Sequence, residues 1–126
     1  MAKDKRAEIN VFLSDSVSAG AQDNNIFGNP IPAGERWRFT AVGGGDESDG
    51  AGAASRIELQ VSHTGVPPWK TITPIIIARG GSKTEALSRD IRGDGTRKVR
   101  VIRKNNTGSA MVIYAWVKGV KLGTSV

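Results

Sequence analysis

The chain has 126 residues, a formal net charge of +6, sixteen glycines and no cysteine. That length fits one domain able to bury a core without a metal or disulfide staple, and the lack of cysteine excludes disulfides, thiolate catalysis and cysteine-ligated zinc or iron–sulfur. No run of eighteen apolar residues is present to cross a membrane as a helix. The N-terminal MAKDKRAEINVFLSDS lacks an apolar stretch of signal-peptide length, which predicts synthesis in a cytoplasm without conventional export.

Residues Met1–Ala7 are charged and read as a flexible arm ahead of one domain over residues 8–126. Glu8–Leu13 alternates, with Ile9, Val11 and Leu13 on one side, as a first strand does. Ser14–Asn25, rich in Ser, Ala, Gly, Asp and Asn, reads as a loop or as an extended segment over the domain or a neighbour. A short strand around Ile26 and Phe27 ends at Gly28-Asn29-Pro30. In Ile31–Val42, Pro32 and Gly34 set a tight turn. Trp37, Phe39 and Ala41 then alternate with Arg36, Arg38 and Thr40. This strand carries two of the six Trp and Phe side chains, which places it in the core.

Gly43–Ser55 reads as a long loop of small and acidic residues. Arg56–Ser62 has the cleanest alternation, with Ile57, Leu59 and Val61 inward and Arg56, Glu58, Gln60 and Ser62 toward solvent. A turn over His63–Pro68 follows, marked by Gly65 and Pro67-Pro68. Trp69–Ala78 is β-rich but holds Pro74, which cannot donate to a ladder and marks an edge strand or a bulge. Between the turns Arg79–Ser82 and Arg92–Gly95, Lys83–Ile91 suits a strand better than a short helix. In Thr96–Lys104, Val99 and Val101 point inward and Lys98, Arg100 and Lys104 outward, while Ile102 breaks the alternation. After a hairpin-type turn at Asn105–Gly108, Ala110–Leu122 is apolar on both faces. Met111, Ile113 and Ala115 lie on one face, and Val112, Tyr114 and Trp116 on the other. Such a strand is central in its sheet, or one of its faces meets a partner.

Seven or eight short strands with turns between them and no helix predict an all-β, antiparallel two-sheet β-sandwich, with a jelly roll as its topology. A closed barrel is the alternative. No internal repeat is present.

The excess charge is concentrated. Residues Arg79 to Lys104 hold nine Lys and Arg against three acids, and the rest of the chain is balanced at nine against nine. A basic face that attracts an anionic partner is one reading, and a solvated strand face is the other. The basic segment contains no aromatic on which bases could stack, which argues against single-stranded nucleic acid.

Enzyme signatures are missing. His63 is the single histidine and lies in a turn, and the sequence contains no nucleophile elbow, phosphate loop or His-Glu-x-x-His. Glu35, Glu58 and Glu85 are read as surface carboxylates beside basic residues, not as a catalytic pair. Asp46, Glu47 and Asp49 do not match a calcium-loop spacing and are read as a solvated loop. No cofactor is expected. Trp69, Tyr114 and Trp116 are candidates for a sugar-stacking platform, although aromatics on strands more often pack in a core.

A short, cysteine-free, Gly-rich β domain with a charged N-terminal arm, and with I-P-A-G-x-x-W-x-F leading into a glycine-rich loop, resembles the small virion proteins of tailed bacteriophages. These include capsid decoration or cement proteins, some of them jelly rolls that sit on the shell as trimers. The resemblance spans Ile26–Leu122 and implies a non-enzymatic protein of the virion. Its partners would be a major capsid protein or other virion subunits, and it would be a homo-oligomer, a trimer first. The expected contact residues are Lys3, Lys5 and Arg6 of the arm, Arg97, Lys98, Arg100, Arg103 and Lys104 of the basic segment, and Tyr114 and Trp116 of the doubly apolar strand. The alternative from another class is a carbohydrate-binding β-sandwich module, of a phage fibre or a polysaccharide-active enzyme.

Overall fold

The computed structural model describes residues 5–27, 30–47, 55–72, 76–78 and 80–123, with residues 5–7 as backbone only. Nine strands are present among these residues: β1 (Lys5–Val17), β2 (Gln22–Ile26), β3 (Glu35–Asp46), β4 (Ser55–Ser62), β5 (Lys70–Thr71), β6 (Ile76–Ala78), β7 (Ser82–Arg92), β8 (Lys98–Asn105) and β9 (Met111–Gly123). They form two antiparallel sheets. One is ordered β1-β9-β3-β7 and the other β2-β8-β4-β5, with β6 also pairing with β4. β5 and β6 both pair with β4 at the same sheet edge, and with them counted together the described strands have the eight-strand, two-sheet plan of a jelly roll. Pro74 lies outside the described residues, between β5 and β6, which both stand at the edge of the sheet.

Turn chemistry sets the entry to the central strand. The Glu35 N–H donates to the Pro32 carbonyl at 3.1 Å, and Gly34 takes φ +89°, a value that costs a residue with a Cβ. Trp37 and Phe39 are then buried as the alternation requires, but Ala41 is not their successor in the core. Against β9, β3 carries one extra residue between Phe39 and Ala41. This bulge reverses the phase, so that Val42 is fully buried and Ala41 turns outward. The core between the sheets joins Trp37, Phe39 and Val42 to Ile57, Leu59, Val99, Val101, Ile113, Ala115 and Val117.

Three sequence expectations change here. β1 begins at Lys5 and runs through Val17, so the last three arm residues and Ser14–Ser16 are strand, each paired with a residue of β9. Gly43–Asp46 is not loop but the end of β3, and all four residues are buried. Close packing explains the glycines: a Cβ at Gly44 would run into the Tyr114 carbonyl and the Ile57 side chain. Asp46 is held by the Ser55 hydroxyl and the Gly80 N–H, both at 2.6 Å. Residues 48–54 of the expected loop, Asp49 included, lie outside the described residues. Finally, Glu58 is 2% exposed, not a solvent-side carboxylate. It accepts hydrogen bonds from Arg56 Nε at 2.6 Å and from the Thr71 hydroxyl, so the side chains around it take the place of water.

Candidate functional site

The two sheets present opposite chemistry on their outer faces. On the four-stranded sheet, Phe12, Trp116 and Gly43 stand in register across β1, β9 and β3, and Ser14, Tyr114 and Gly45 do the same one step along. Phe12 is 61% exposed, and its ring lies 6.5 Å from that of Trp116 with 12° between the planes. The Trp116 indole lies over Gly43, where a Cβ would strike the ring nitrogen. Glycine at 43 therefore lets the aromatic ring lie down on the sheet. With Tyr114 and Val112 half-buried beside it, this face is a flat aromatic patch on the outside of the sandwich. The opposite side of β9, with Ile113, Ala115 and Val117, fills the core. β9 is therefore central in its sheet, as the first alternative for a doubly apolar strand has it, and among the described residues its other face lies at the surface.

The outer face of the five-stranded sheet is basic. Lys98, Arg100 and Lys104 of β8 stand opposite Ser62, Gln60 and Arg56 of β4. The Arg100 guanidinium lies 4.3 Å over the Trp69 ring, a cation–π contact, and its Nε donates to Gln60 at 2.8 Å. Burial pulls Arg100 below its ordinary value, and the nearby Glu58 charge opposes this. Trp69 therefore has a structural partner on one ring face. Its contact with Arg100 was not legible in sequence because thirty-one positions separate the two residues; pairing of β4 with both β5 and β8 brings them together.

The predicted contact residues other than Arg103 fall into four groups. Lys98, Arg100 and Lys104 share the basic face as expected. Tyr114 and Trp116 share the aromatic one. Arg97 stands at the turn before β8, where its Nε donates to His63 Nδ1 at 3.2 Å and a terminal nitrogen donates to the Arg92 carbonyl at 2.9 Å. Lys5 and Arg6 are strand residues of β1, and Lys3 lies outside the described residues.

Arg103 is the clear correction. It is 1% exposed and sits between the sheets, not on the basic face. Its guanidinium donates to the Ile113 carbonyl at 2.9 Å, to Asp15 at 2.6 Å, and to Asp23. The hydrogen bond from Arg103, and then its charge, hold the Asp15 carboxyl below the usual carboxylate range. The alternation that puts Val99 and Val101 inward puts Arg103 inward too, and puts Ile102 outward, where neighbouring side chains bury it.

Phe12 was missed as a site residue. The signal was present, since Ile9, Val11 and Leu13 on one side of the first strand leave Phe12 on the other. Elsewhere, Asp94 caps the turn before β8 by accepting from the Thr96 and Arg97 N–H groups, both at 2.9 Å, and these bonds pull its pKa to about 2. A cavity of about 550 Å³ opens at one end of the sandwich, lined among others by Ile9, Phe27, Glu35, Trp37 and Lys121. Its Trp37 donates to Glu35 at 3.0 Å, and its Lys121 ammonium lies 4.5 Å over the Trp37 ring.

No protein-family model matches the chain, and no curated protein sequence matches it. Solved structures do resemble it in fold. The Yersinia pseudotuberculosis-derived mitogen superposes with a TM-score of 0.54 at 13% identity, over 88% of this chain and 86% of the mitogen. A chain of Sulfolobus turreted icosahedral virus gives 0.53 at 17% identity, over 95% of this chain and 32% of the viral one, so the match spans about a third of that protein. A family 16 carbohydrate-binding module gives 0.48 at 13% identity, over 81% of this chain and 71% of the module. At these identities the likeness to the mitogen and to the viral chain establishes a β-sandwich fold and nothing further.

Proposed function

We propose that the chain is a non-enzymatic virion structural protein of the tailed-phage decoration or cement type. It would be made in the host cytoplasm and bound to the capsid surface as a homo-oligomer, with a trimer as the first expectation. The observation that carries this reading is the flat aromatic patch of Phe12, Tyr114 and Trp116. Clustered aromatics left in water forgo roughly 25 cal/mol for each Å² of apolar surface that a partner could cover, and aromatic residues are enriched at the centres of protein interfaces. Contacts between copies or with a major capsid protein would bury this patch. The basic face of Arg56, Lys98, Arg100 and Lys104 suits the acidic surface of another virion subunit, where complementary charge speeds association and fixes register. Lys3, ahead of β1, with Lys5 and Arg6 at the start of that strand, would add positive charge to that contact.

A second reading, the carbohydrate-binding module, is favoured by one feature: the near-parallel rings of Phe12 and Trp116 lie at the surface, where a sugar ring can stack. Trp116→Ser separates the two readings. Loss of self-association or of shell binding, with the fold kept and no glycan bound by the wild type, supports the virion role. Binding of a glycan by the wild type, lost in the variant, supports the module.

A further inference from the structure

The sequence argues against single-stranded nucleic acid because the basic segment holds no aromatic on which a base could stack. The fold supplies one from outside that segment. Gln60 pairs with both Thr71 of β5 and Arg100 of β8, and Trp69, two residues before Thr71, has the Arg100 guanidinium over its ring. The indole is half-buried, so part of it stays in water. Around it the outer face of the five-stranded sheet runs in rows: Gln22 with Lys104 and Arg56, Asn24 with Ile102 and Glu58, Ile26 with Arg100 and Gln60, then Lys98 with Ser62. Glu58 is the only carboxylate in these rows, and at 2% exposure it is withdrawn from any phosphate that approaches. Hydrogen bonds hold the cations in place. Arg100 Nε donates to Gln60 at 2.8 Å, Gln60 donates to the Thr71 hydroxyl at 3.3 Å, and that hydroxyl donates to Glu58. Glu58 also accepts from Arg56 Nε at 2.6 Å. Each arginine thus spends its Nε on the network, and among the described residues the terminal nitrogens of both have no hydrogen-bond partner. Such forks match the oxygens of a phosphate.

We infer that the outer face of the five-stranded sheet binds single-stranded nucleic acid, with Arg56, Lys98 and Arg100 on phosphates and Trp69 stacking a base. Charge alone fits any anionic polymer or acidic surface. Three features select this one. Bases stack on indole rings and on guanidinium planes alike, and here the two stand together at 4.3 Å; a surface of carboxylates has nothing to stack. Gln22 and Asn24, exposed in the same rows, bring amide donors and acceptors for the edges of unpaired bases. The sheet is also four strands across, too wide for a duplex groove, which admits a helix or a two-stranded ribbon. A duplex would meet the cations and leave Trp69 unused, whereas a single strand uses both. This goes beyond the virion reading: an acidic virion surface answers to the same charge but not to Trp69.

Fluorescence anisotropy of a labelled oligothymidylate, titrated with the full-length protein, tests this, with labelled heparin as a second probe. Wild type should bind the oligonucleotide, more weakly as salt rises. Lys98→Gln should reduce the slope of log affinity against log salt by about 0.7, the single-strand value for one cation. Lys83→Gln, which removes the same charge from β7 of the other sheet, should leave that slope unchanged. Trp69→Leu should weaken oligonucleotide binding roughly 5- to 150-fold, as expected for one stacked base, and leave heparin unaffected; Trp69→Phe, which keeps a ring, should retain most of the binding. Circular dichroism checks that each variant is folded. No binding at low salt, binding that Trp69→Leu leaves intact, or equal loss of heparin and oligonucleotide in that variant overturns the inference. Should Trp69→Leu unfold, the lysine pair still decides, because equal slopes for Lys98→Gln and Lys83→Gln overturn it too. The assay holds only the isolated protein and its probe, so a failure of shell binding leaves this result untouched.

Discussion

Replacing Arg103 with methionine probes the most consequential difference between the sequence and the fold. Methionine keeps an unbranched stem of similar length and removes the guanidinium. What is lost is a set of hydrogen bonds to two carboxylates and to the Ile113 carbonyl. Bonds to charged groups contribute about 1.5–3 kcal/mol each in favourable cases, but two terms reduce the sum. The Asp15 and Asp23 side chains are 75% and 42% exposed, so they regain water once released. Among the described residues Arg103 Nε is also buried without a partner, a cost that the substitution relieves. The net loss for Arg103→Met is therefore about 1–3 kcal/mol. Removing both carboxylates instead, as Asp15→Ala with Asp23→Ala, strands a buried cation and costs about 3–5 kcal/mol. Urea unfolding reads both. With a slope of about 2 kcal/mol per molar, Arg103→Met lowers the midpoint by roughly 1 M, and the double variant lowers it further. An unchanged midpoint for Arg103→Met, or a double variant more stable than it, would refute the buried clasp.

Two further substitutions test the sheet itself and its turns. Gly44→Ala forces a Cβ against the Tyr114 carbonyl and Ile57, and should cost about 1–3 kcal/mol by overpacking. Gly81→Ala meets nothing within 4 Å and should be neutral or slightly stabilising; equal effects in thermal melts would contradict the packing account. Asp94→Asn tests the pH dependence. The native carboxyl titrates near 2 against an ordinary value of 3.8, so its charged form adds stability that is complete above 3.8 and fades as pH falls toward 2. The variant should be less stable than wild type at neutral pH, and the gap should close on acidification through that window. A gap that stays constant with pH would show that the carboxylate charge is not the source.

Much of the fold was legible because the hydrophobic alternation is strong where the strands are half-buried. Ile57 and Leu59, Val99 and Val101, and Ile113 and Ala115 all point where the period of two places them. Three features were not legible, each for a tertiary reason. The bulge at Thr40 reverses the phase of β3, and no turn residue announces it. Gly43–Gly45 has loop composition, yet it is strand because Trp116 and the Tyr114 backbone need the space that side chains would fill. Arg103 follows its strand's alternation, but charge alone suggested the surface, since its partners Asp15 and Asp23 are eighty or more positions away in sequence. The aromatic face was half visible, through Tyr114 and Trp116; Phe12 and the glycine floor joined it only when β1, β9 and β3 were in register.

The central claim is that the aromatic face of the four-stranded sheet is a protein interface. Light scattering coupled to size-exclusion chromatography, run on wild type and Trp116→Ser over a range of concentrations, tests it most directly. The account expects an oligomer for wild type and a smaller species for Trp116→Ser, with circular dichroism showing an unchanged β fold. A wild type that stays monomeric throughout, or an oligomer of the same mass in the variant, would contradict it.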